Sequence, residues 1–158
     1  MPAAGLSDEA YRRLLGLRTR LRQFERWSEQ QARDAGLTPA HHQLLLSIRG
    51  HDDPRGPTIG EVADYLQLRH HSVVGLIDRA IVARLVTRTR DDQDHRVVRL
   101  HLTAEGAERL EALSALHLEE LERLGPLRSG ASGELGQRPR AQAYRGNAAL
   151  PGKGIGSG

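Results

Sequence analysis

The sequence predicts a mainly α fold with a small β-hairpin, arranged as a winged helix-turn-helix flanked by further helices. Three observations predict it. Residues 58–79 read T-I-G-E-V-A-D-Y-L-Q-L-R-H-H-S-V-V-G-L-I-D-R, a short capped helix, a tight turn and a second helix. Residues 85–103 read L-V-T-R-T-R-D-D-Q-D-H-R-V-V-R-L-H-L-T, two strand-like runs around an acidic tip. Apolar residues at helical spacing lie on both sides of this block. A helix-turn-helix followed by a hairpin presents one helix to the DNA major groove and a basic hairpin to the flanking backbone or minor groove.

Each element has a local reason. Ser7 before Asp8 and Glu9 is an N-cap with acids in the first turn, where they suit the helix dipole. Leu14, Leu17, Leu21 and Phe24 then recur at steps of three and four, one apolar stripe on a helix running to about Asp34. Gly36 ends it. Thr38-Pro39 starts a second helix, with Thr as cap and Pro at the first position. Leu44, Leu45 and Ile48 are its buried face, and residues 50–57 form a loop by composition. Thr58 and Glu61 are a capping box for a third helix lined by Ile59, Val62, Ala63 and Leu66, with Leu68 plugging the turn. The fourth helix, from about His70 to Ala83, turns Val73, Leu76, Ile77 and Ala80 inward. Leu85-Val86 opens a strand, and Asp91, Asp92 and Asp94 form the tip. Val98, Leu100 and Leu102 alternate with Arg99 and His101, which predicts one buried and one polar face. Thr103 caps a last helix with Leu110, Leu113, Leu121 and Leu124 as apolar positions.

The chain's 158 residues suit one domain with a real core. It has no cysteine, which excludes disulfides, thiolate metal sites and thiol redox sensing. No apolar run approaches the ~20 residues that cross a membrane, and the N-terminus is not a signal peptide, so a cytoplasmic protein is expected. The net charge of +3 is unevenly placed. Beyond Gly125 stand five basic residues and one acid, leaving the first 124 residues at −1. Local charge is the useful signal: Arg69, Arg79, Arg84, Arg88, Arg90, Arg96 and Arg99 crowd the DNA-reading segment. Residues 125–158, rich in Gly, Arg, Ala, Ser and Pro, keep no period and are expected to be a disordered tail, dispensable for folding.

Three motifs carry a family resemblance. They are G-L-T-P-A-x-x-x-L-L before the second helix, S-V-V-x-L-I-D-R in the fourth, and D-x-R followed by V-x-L-x-L-T-x-x-G around the hairpin. Over residues 10–124 the chain resembles the MarR-type bacterial winged-helix regulators. The resemblance implies a homodimer on pseudo-palindromic DNA, usually a repressor, relieved by small aromatic or anionic ligands. It divides the chain into an N-terminal dimerisation helix (1–36), the winged helix (37–103), a C-terminal dimerisation helix (104–124) and the tail. The chain departs from the family pattern in three ways. Arg84 stands where the family has Gly at the end of the recognition helix. Ile81 and Val82 make that end unusually apolar. The family's C-terminal helix has no counterpart after Gly125.

His70, His71, Val74 and Gly75, opposite the buried face, are the candidates for the major groove. Histidine can donate to guanine, Val74 can meet a thymine methyl, and Gly75 admits close approach. Arg69 and Ser72 suit phosphates. The expected DNA-binding set adds Arg79, Arg88, Arg90, Asp94 and Arg96. By the resemblance, Arg96 is the wing residue that reaches DNA and Asp94 orients it. Asp91 and Asp92 read as turn formers, and Arg99 as a generic strand arginine. The resemblance also puts an effector pocket between the dimer helices and the winged domain, where Arg18, Trp27, His41 and His42 could line it; dimer-interface packing is the favoured role for Trp27. Adjacent histidines do not share a helix face, so no metal site and no cofactor are expected. No catalytic constellation stands out, and Asp78 beside Arg79 reads as a scaffold bridge. The expected function is ligand-responsive, sequence-specific binding to double-stranded DNA. The alternative is a winged-helix protein–protein module with weak or lost DNA binding.

Overall fold

The computed structural model describes residues 5–125. The expectations for the tail therefore lie outside the described residues, Gly125 excepted. Seven elements follow in order: α1 (Asp8–Asp34), α2 (Pro39–Arg49), α3 (Ile59–Leu66), α4 (His70–Val82), β1 (Val86–Arg90), β2 (Val98–Leu102) and α5 (Ala104–Leu124). The strands form one antiparallel hairpin, in register from Val86 opposite Leu102 to Arg90 opposite Val98.

Four helices begin at a side chain that accepts an otherwise unpaired amide: Ser7 from Ala10, Thr38 from His41, Thr58 from Glu61 and Thr103 from Gly106. Glu61 returns the bond to the Thr58 amide at 2.7 Å, completing the capping box. The exception is α4, whose N-cap Arg69 makes no side-chain cap.

The core centres on α2, which packs on α1, α3, α4, α5 and β2. Leu44, Leu45 and Ile48 meet Val62 and Ala63 of α3, Val73, Leu76, Ile77 and Ala80 of α4, and Leu100, Leu110 and Leu113 from the C-terminal half in one cluster. Burying such a side chain contributes about 1.5–3 kcal/mol, so this cluster fixes α4 and the hairpin on α2.

The structure corrects the expectation for Leu68 and shows which faces of α1, α5 and β2 the core covers. Leu68 is exposed and plugs nothing. Gln67 ends α3 in the left-handed conformation, with φ 53°, and the Leu68 amide bonds to the Ala63 carbonyl. The backbone itself closes the turn and sends the Leu68 side chain outward. On α1, Leu14 and Leu21 are exposed, and the fully buried positions are Ser28, Gln31 and Ala32 near its C-terminal end. On α5, Leu110 and Leu113 are buried while Leu118 and Leu121 are exposed. The polar face of β2 is not solvated either: the Arg99 side chain is only 12% exposed. Gly56 backs this strand, because a Cβ there would collide with the Leu100 carbonyl and touch the His101 ring.

The Arg84 departure has a structural consequence. Its φ is 60°, so the left-handed helix ending is kept without glycine. The Arg84 amide bonds to Ile81 and the Leu85 amide to Ala80, which turns the chain into β1. The Thr103 hydroxyl donates to the Arg84 carbonyl at 2.6 Å, tying the start of α5 to the same corner.

Candidate nucleic-acid interface

Helix α4 buries one face and leaves the other free. His70, His71 and Ser72 are exposed, Val74 and Gly75 are half-buried, and Arg79 is exposed. Arg69 is exposed at the N-cap. The Ser72 and Val73 amides turn back to the Arg69 carbonyl. Those of His70 and His71 have no backbone acceptor among the described residues. Free amides and the positive end of the helix dipole therefore lie beside Arg69, an arrangement that favours an anion such as phosphate. The Arg79 guanidinium lies 3.4 Å from where a Cβ of residue 75 would stand. It also acts on His41, which burial first and Arg79 second hold below its ordinary pKa.

The wing tip is built by three aspartates with different jobs. Asp94 accepts from the Arg96 amide and Nε, both at 3.1 Å, and from Nη2 at 3.3 Å. These bonds hold its carboxyl below the usual range and set the Arg96 side chain, 91% exposed, in one direction. Asp92 is exposed. Asp91 is more than the expected turn former. Its Oδ1 does accept from the Gln93 and Asp94 amides, at 2.8 and 3.2 Å. Yet Asp91 is only 5% exposed, and its Oδ2 accepts from Arg99 Nε at 2.8 Å and Arg55 Nη1 at 3.4 Å. The Arg99 bond leads the causes that lower the Asp91 pKa.

Arg99 is therefore spoken for. Its Nη1 also donates to the Gly56 carbonyl at 3.1 Å and lies 3.8 Å from both Asp53 and Glu61. An arginine so enclosed cannot reach a phosphate, which removes it from the generic basic strand surface. Arg88 is committed as well: it bridges to Asp78, so the scaffold role of Asp78 runs to β1 and not to neighbouring Arg79. That bridge ties the wing to α4. Arg90 is exposed, with no ion-pair partner among the described residues.

Sequence reasoning missed Arg55 and Asp53, which stood in a loop by composition. Arg55 donates its amide to Asp53 Oδ1 at 2.9 Å, Nε to the same atom at 3.1 Å and Nη2 to Oδ2 at 2.7 Å. This is the same closure that Asp94 and Arg96 make. The signal was present: D-P-R at 53–55 repeats the D-x-R spacing of 94–96. Its Nη1 also reaches Gln93 at 3.3 Å, so the loop before α3 buttresses the wing.

A second feature lies away from the wing. An open cleft of about 320 Å³ separates α1 from α2. Helix α1 contributes Phe24, Glu25, Ser28 and Glu29, and α2 contributes His42 and Gln43 beyond its first turn, Pro39 and Ala40. Of the four expected pocket residues only His42 lines it. Arg18 is exposed outside it, and His41 is under the influence of Arg79 of α4 instead. Trp27 packs beside it, its ring 5.8 Å from Phe24 and 4.9 Å from His117 of α5.

His117 was not singled out from sequence. Its Nδ1 donates to the Leu113 carbonyl at 2.7 Å, which leaves Nε2 to accept from the Ser28 hydroxyl at 2.7 Å. Its ring lies 4.7 Å from His42. Burial, then His117, pushes His42 down to about 4. Burial lowers His117 too.

Comparison with known proteins agrees with this geometry. Residues 35–97 match the family model described as MarR family. The HTH-type transcriptional repressor MdtR of Bacillus subtilis (strain 168) is 32% identical over 76 residues, 48% of this chain and 47% of that protein. The chain thus spans about half the length of the curated relative it matches. Among solved structures, AbsC of Streptomyces coelicolor, a MarR family transcriptional regulator, superposes with a TM-score of 0.61 at 22% identity, over 77% of this chain and 81% of that one. The S. aureus MepR–DNA complex superposes with a TM-score of 0.60 at 21% identity, over 68% and 76%. These likenesses establish the winged-helix fold. No helix among the described residues is long and apolar enough to cross a membrane.

Proposed function

We infer, from the match of residues 35–97 to the MarR family model, that the chain is a MarR-type, sequence-specific DNA-binding transcriptional regulator and not an enzyme. It acts as a repressor, as a homodimer on a pseudo-palindromic operator, and a small ligand in the α1–α2 cleft relieves it. The observation that carries this reading is Arg96. An arginine that is 91% exposed and held by three bonds to Asp94 has no other polar partner among the described residues, so its guanidinium is displayed to the surroundings. Pre-ordering a cation at a wing tip suits insertion into a minor groove.

The remaining roles follow from position. His70, His71, Val74 and Gly75 read base edges, Arg69 and Ser72 hold phosphates, and Arg79 and Arg90 add backbone charge. Asp78–Arg88 and Asp91–Arg99 hold the wing, so Arg88 acts mainly through its bridge. The exposed apolar side chains of α1 and α5, among them Tyr11, Leu14, Leu15, Leu118 and Leu121, form the surface that a second copy covers.

Fluorescence anisotropy with a duplex from the region upstream of the chain's own gene tests the reading. The parent chain binds with a steep salt dependence. Arg96→Ala weakens binding by about 1–3 kcal/mol and leaves folding unchanged. Equal affinity for parent and variant through a salt titration would refute the assignment of Arg96. The rival reading, a protein–protein module, draws on the −1 charge of the first 124 residues; it prevails if no duplex binds with salt dependence.

A further inference from the structure

We propose that the α1–α2 cleft selects a small organic cation, an amine carrying an aromatic or similarly flat apolar group, over the corresponding anion. The proposal rests on reading this cleft as the ligand site, and of the aromatic or anionic ligands that the family resemblance implied it keeps the aromatic group and excludes the negative charge.

Charge is the first observation. The two ionised residues that line the cleft, Glu25 and Glu29, are both carboxylates, one turn apart on α1 and so on one face. No Lys or Arg of the described residues lines it. Glu29 shares its charge with Arg33 at 3.1 Å, an exposed pair whose arginine is not among the lining residues. Glu25 has no ion-pair partner among the described residues. An entering anion meets two carboxylates, one of them partly neutralised, and no cation among the lining residues. An ammonium group meets one carboxylate that is free to pair with it and a second that is partly neutralised.

The second observation is independent of the first. His42 lines the cleft, is only 3% exposed, and carries no hydrogen bond on either ring nitrogen among the described residues. A ring that borders a cleft and makes no hydrogen bond of its own is free to make one with an occupant. With its pKa held near 4 it is neutral at pH 7. A neutral imidazole offers one acceptor and one donor nitrogen, so it adds no positive charge to the cleft, and the choice between cation and anion is left to the nearby carboxylates. The Ser28 hydroxyl, which donates to His117, keeps lone pairs for the same purpose. Phe24 supplies an aromatic wall, whose face attracts cations, and Pro39 and Ala40 supply apolar surface. At about 320 Å³ the cleft is at the small end of ligand pockets, which sets the occupant's size near one ring with a short amine arm.

The test uses the full-length chain and three probes of one shape: benzylammonium, benzyl alcohol and benzoate. Trp27 is the only tryptophan and lies against Phe24, so its fluorescence reports occupancy. Protein NMR shifts give a second readout. The expected order is benzylammonium, then benzyl alcohol, with benzoate weakest. Glu25→Gln, at an exposed position that folding does not need, should weaken benzylammonium by about fivefold, the scale of one solvent-screened charge pair, and leave benzyl alcohol unchanged. The proposal is overturned if benzoate binds as tightly as benzylammonium, if Glu25→Gln leaves the charge preference intact, or if no probe shifts either signal. A parallel titration of the DNA complex at matched ionic strength separates the two readings. Benzylammonium that binds the cleft without changing DNA affinity upholds the cation site and removes the effector role assigned to the cleft above.

Discussion

Gly106→Ala should destabilise the chain although the substitution favours a helix. Gly106 lies in the first turn of α5 and is buried. In an unconstrained helix, alanine there would gain about 1 kcal/mol over glycine. Here a Cβ would overlap the Leu85 carbonyl oxygen and stand 3.0 Å from the Leu85 carbonyl carbon and 3.2 Å from its Cα. All three are backbone atoms at the start of β1, and they cannot rotate aside. Relief requires α5 to move off the strand. Overpacking of this kind costs about 1–3 kcal/mol. The movement also strains the bond from the Thr103 amide to the same Leu85 carbonyl, 3.1 Å long, a further ~1 kcal/mol. Set against the propensity gain, the net loss is about 1–3 kcal/mol. Gly75→Ala is the internal control. Its Cβ meets only the flexible Arg79 guanidinium at 3.4 Å, so stability should hold or rise by up to ~1 kcal/mol, while close approach to DNA is lost. Urea unfolding followed by circular dichroism compares midpoints at constant slope. A Gly106→Ala chain as stable as its parent would refute the close-packing argument, and a Gly75→Ala chain of unchanged DNA affinity would refute close backbone approach at that helix.

Three further outcomes are expected. Arg84→Gly relieves a left-handed residue and should stabilise by about 0.5–1 kcal/mol; a lower urea midpoint would contradict this. Stability should rise with pH between about 4 and 6.5, because His42 binds its proton less readily in the folded chain than in the unfolded one. Its contribution is complete above the unfolded value and is lost as pH falls through the folded one. With the ring beside an open cleft, its size is about 2 kcal/mol, and His117 and His41 act in the same direction. Unfolding midpoints at pH 7 and 4.5 check this: His42→Gln should flatten the difference, and an unchanged difference would refute it. Arg99→Ala should weaken DNA binding without touching DNA, because the Asp91 node that carries the wing tip loses its closest cation; wild-type affinity would show that the wing holds its position alone.

What the sequence determined by itself is what local physics decides. The helix starts at Ser7, Thr38, Thr58 and Thr103 were legible because a cap acts over two or three residues. The buried faces of α2, α3 and α4 were legible because 3.6-residue periodicity needs no knowledge of the partner. The Asp94–Arg96 closure is as short-range, yet it was read through the family resemblance, and the same closure at Asp53–Arg55 went unread. Tertiary structure decided the rest. The node of Asp91, Arg99, Arg55 and Asp53 joins residues up to 46 positions apart, and no local rule distinguishes such an arginine from a solvated one. Asp78 found Arg88 and not its neighbour Arg79, because adjacent helix residues diverge while a strand packed on the helix comes within reach. The stripe of Leu14 and Leu21 has perfect period and still lies exposed, since period names a face and not what covers it. His117 came to His42, and Gly106 to Leu85, only when α5 crossed α2 and the hairpin. Periodicity and capping are properties of one segment, whereas charge pairing, close approach and cleft shape belong to the meeting of two.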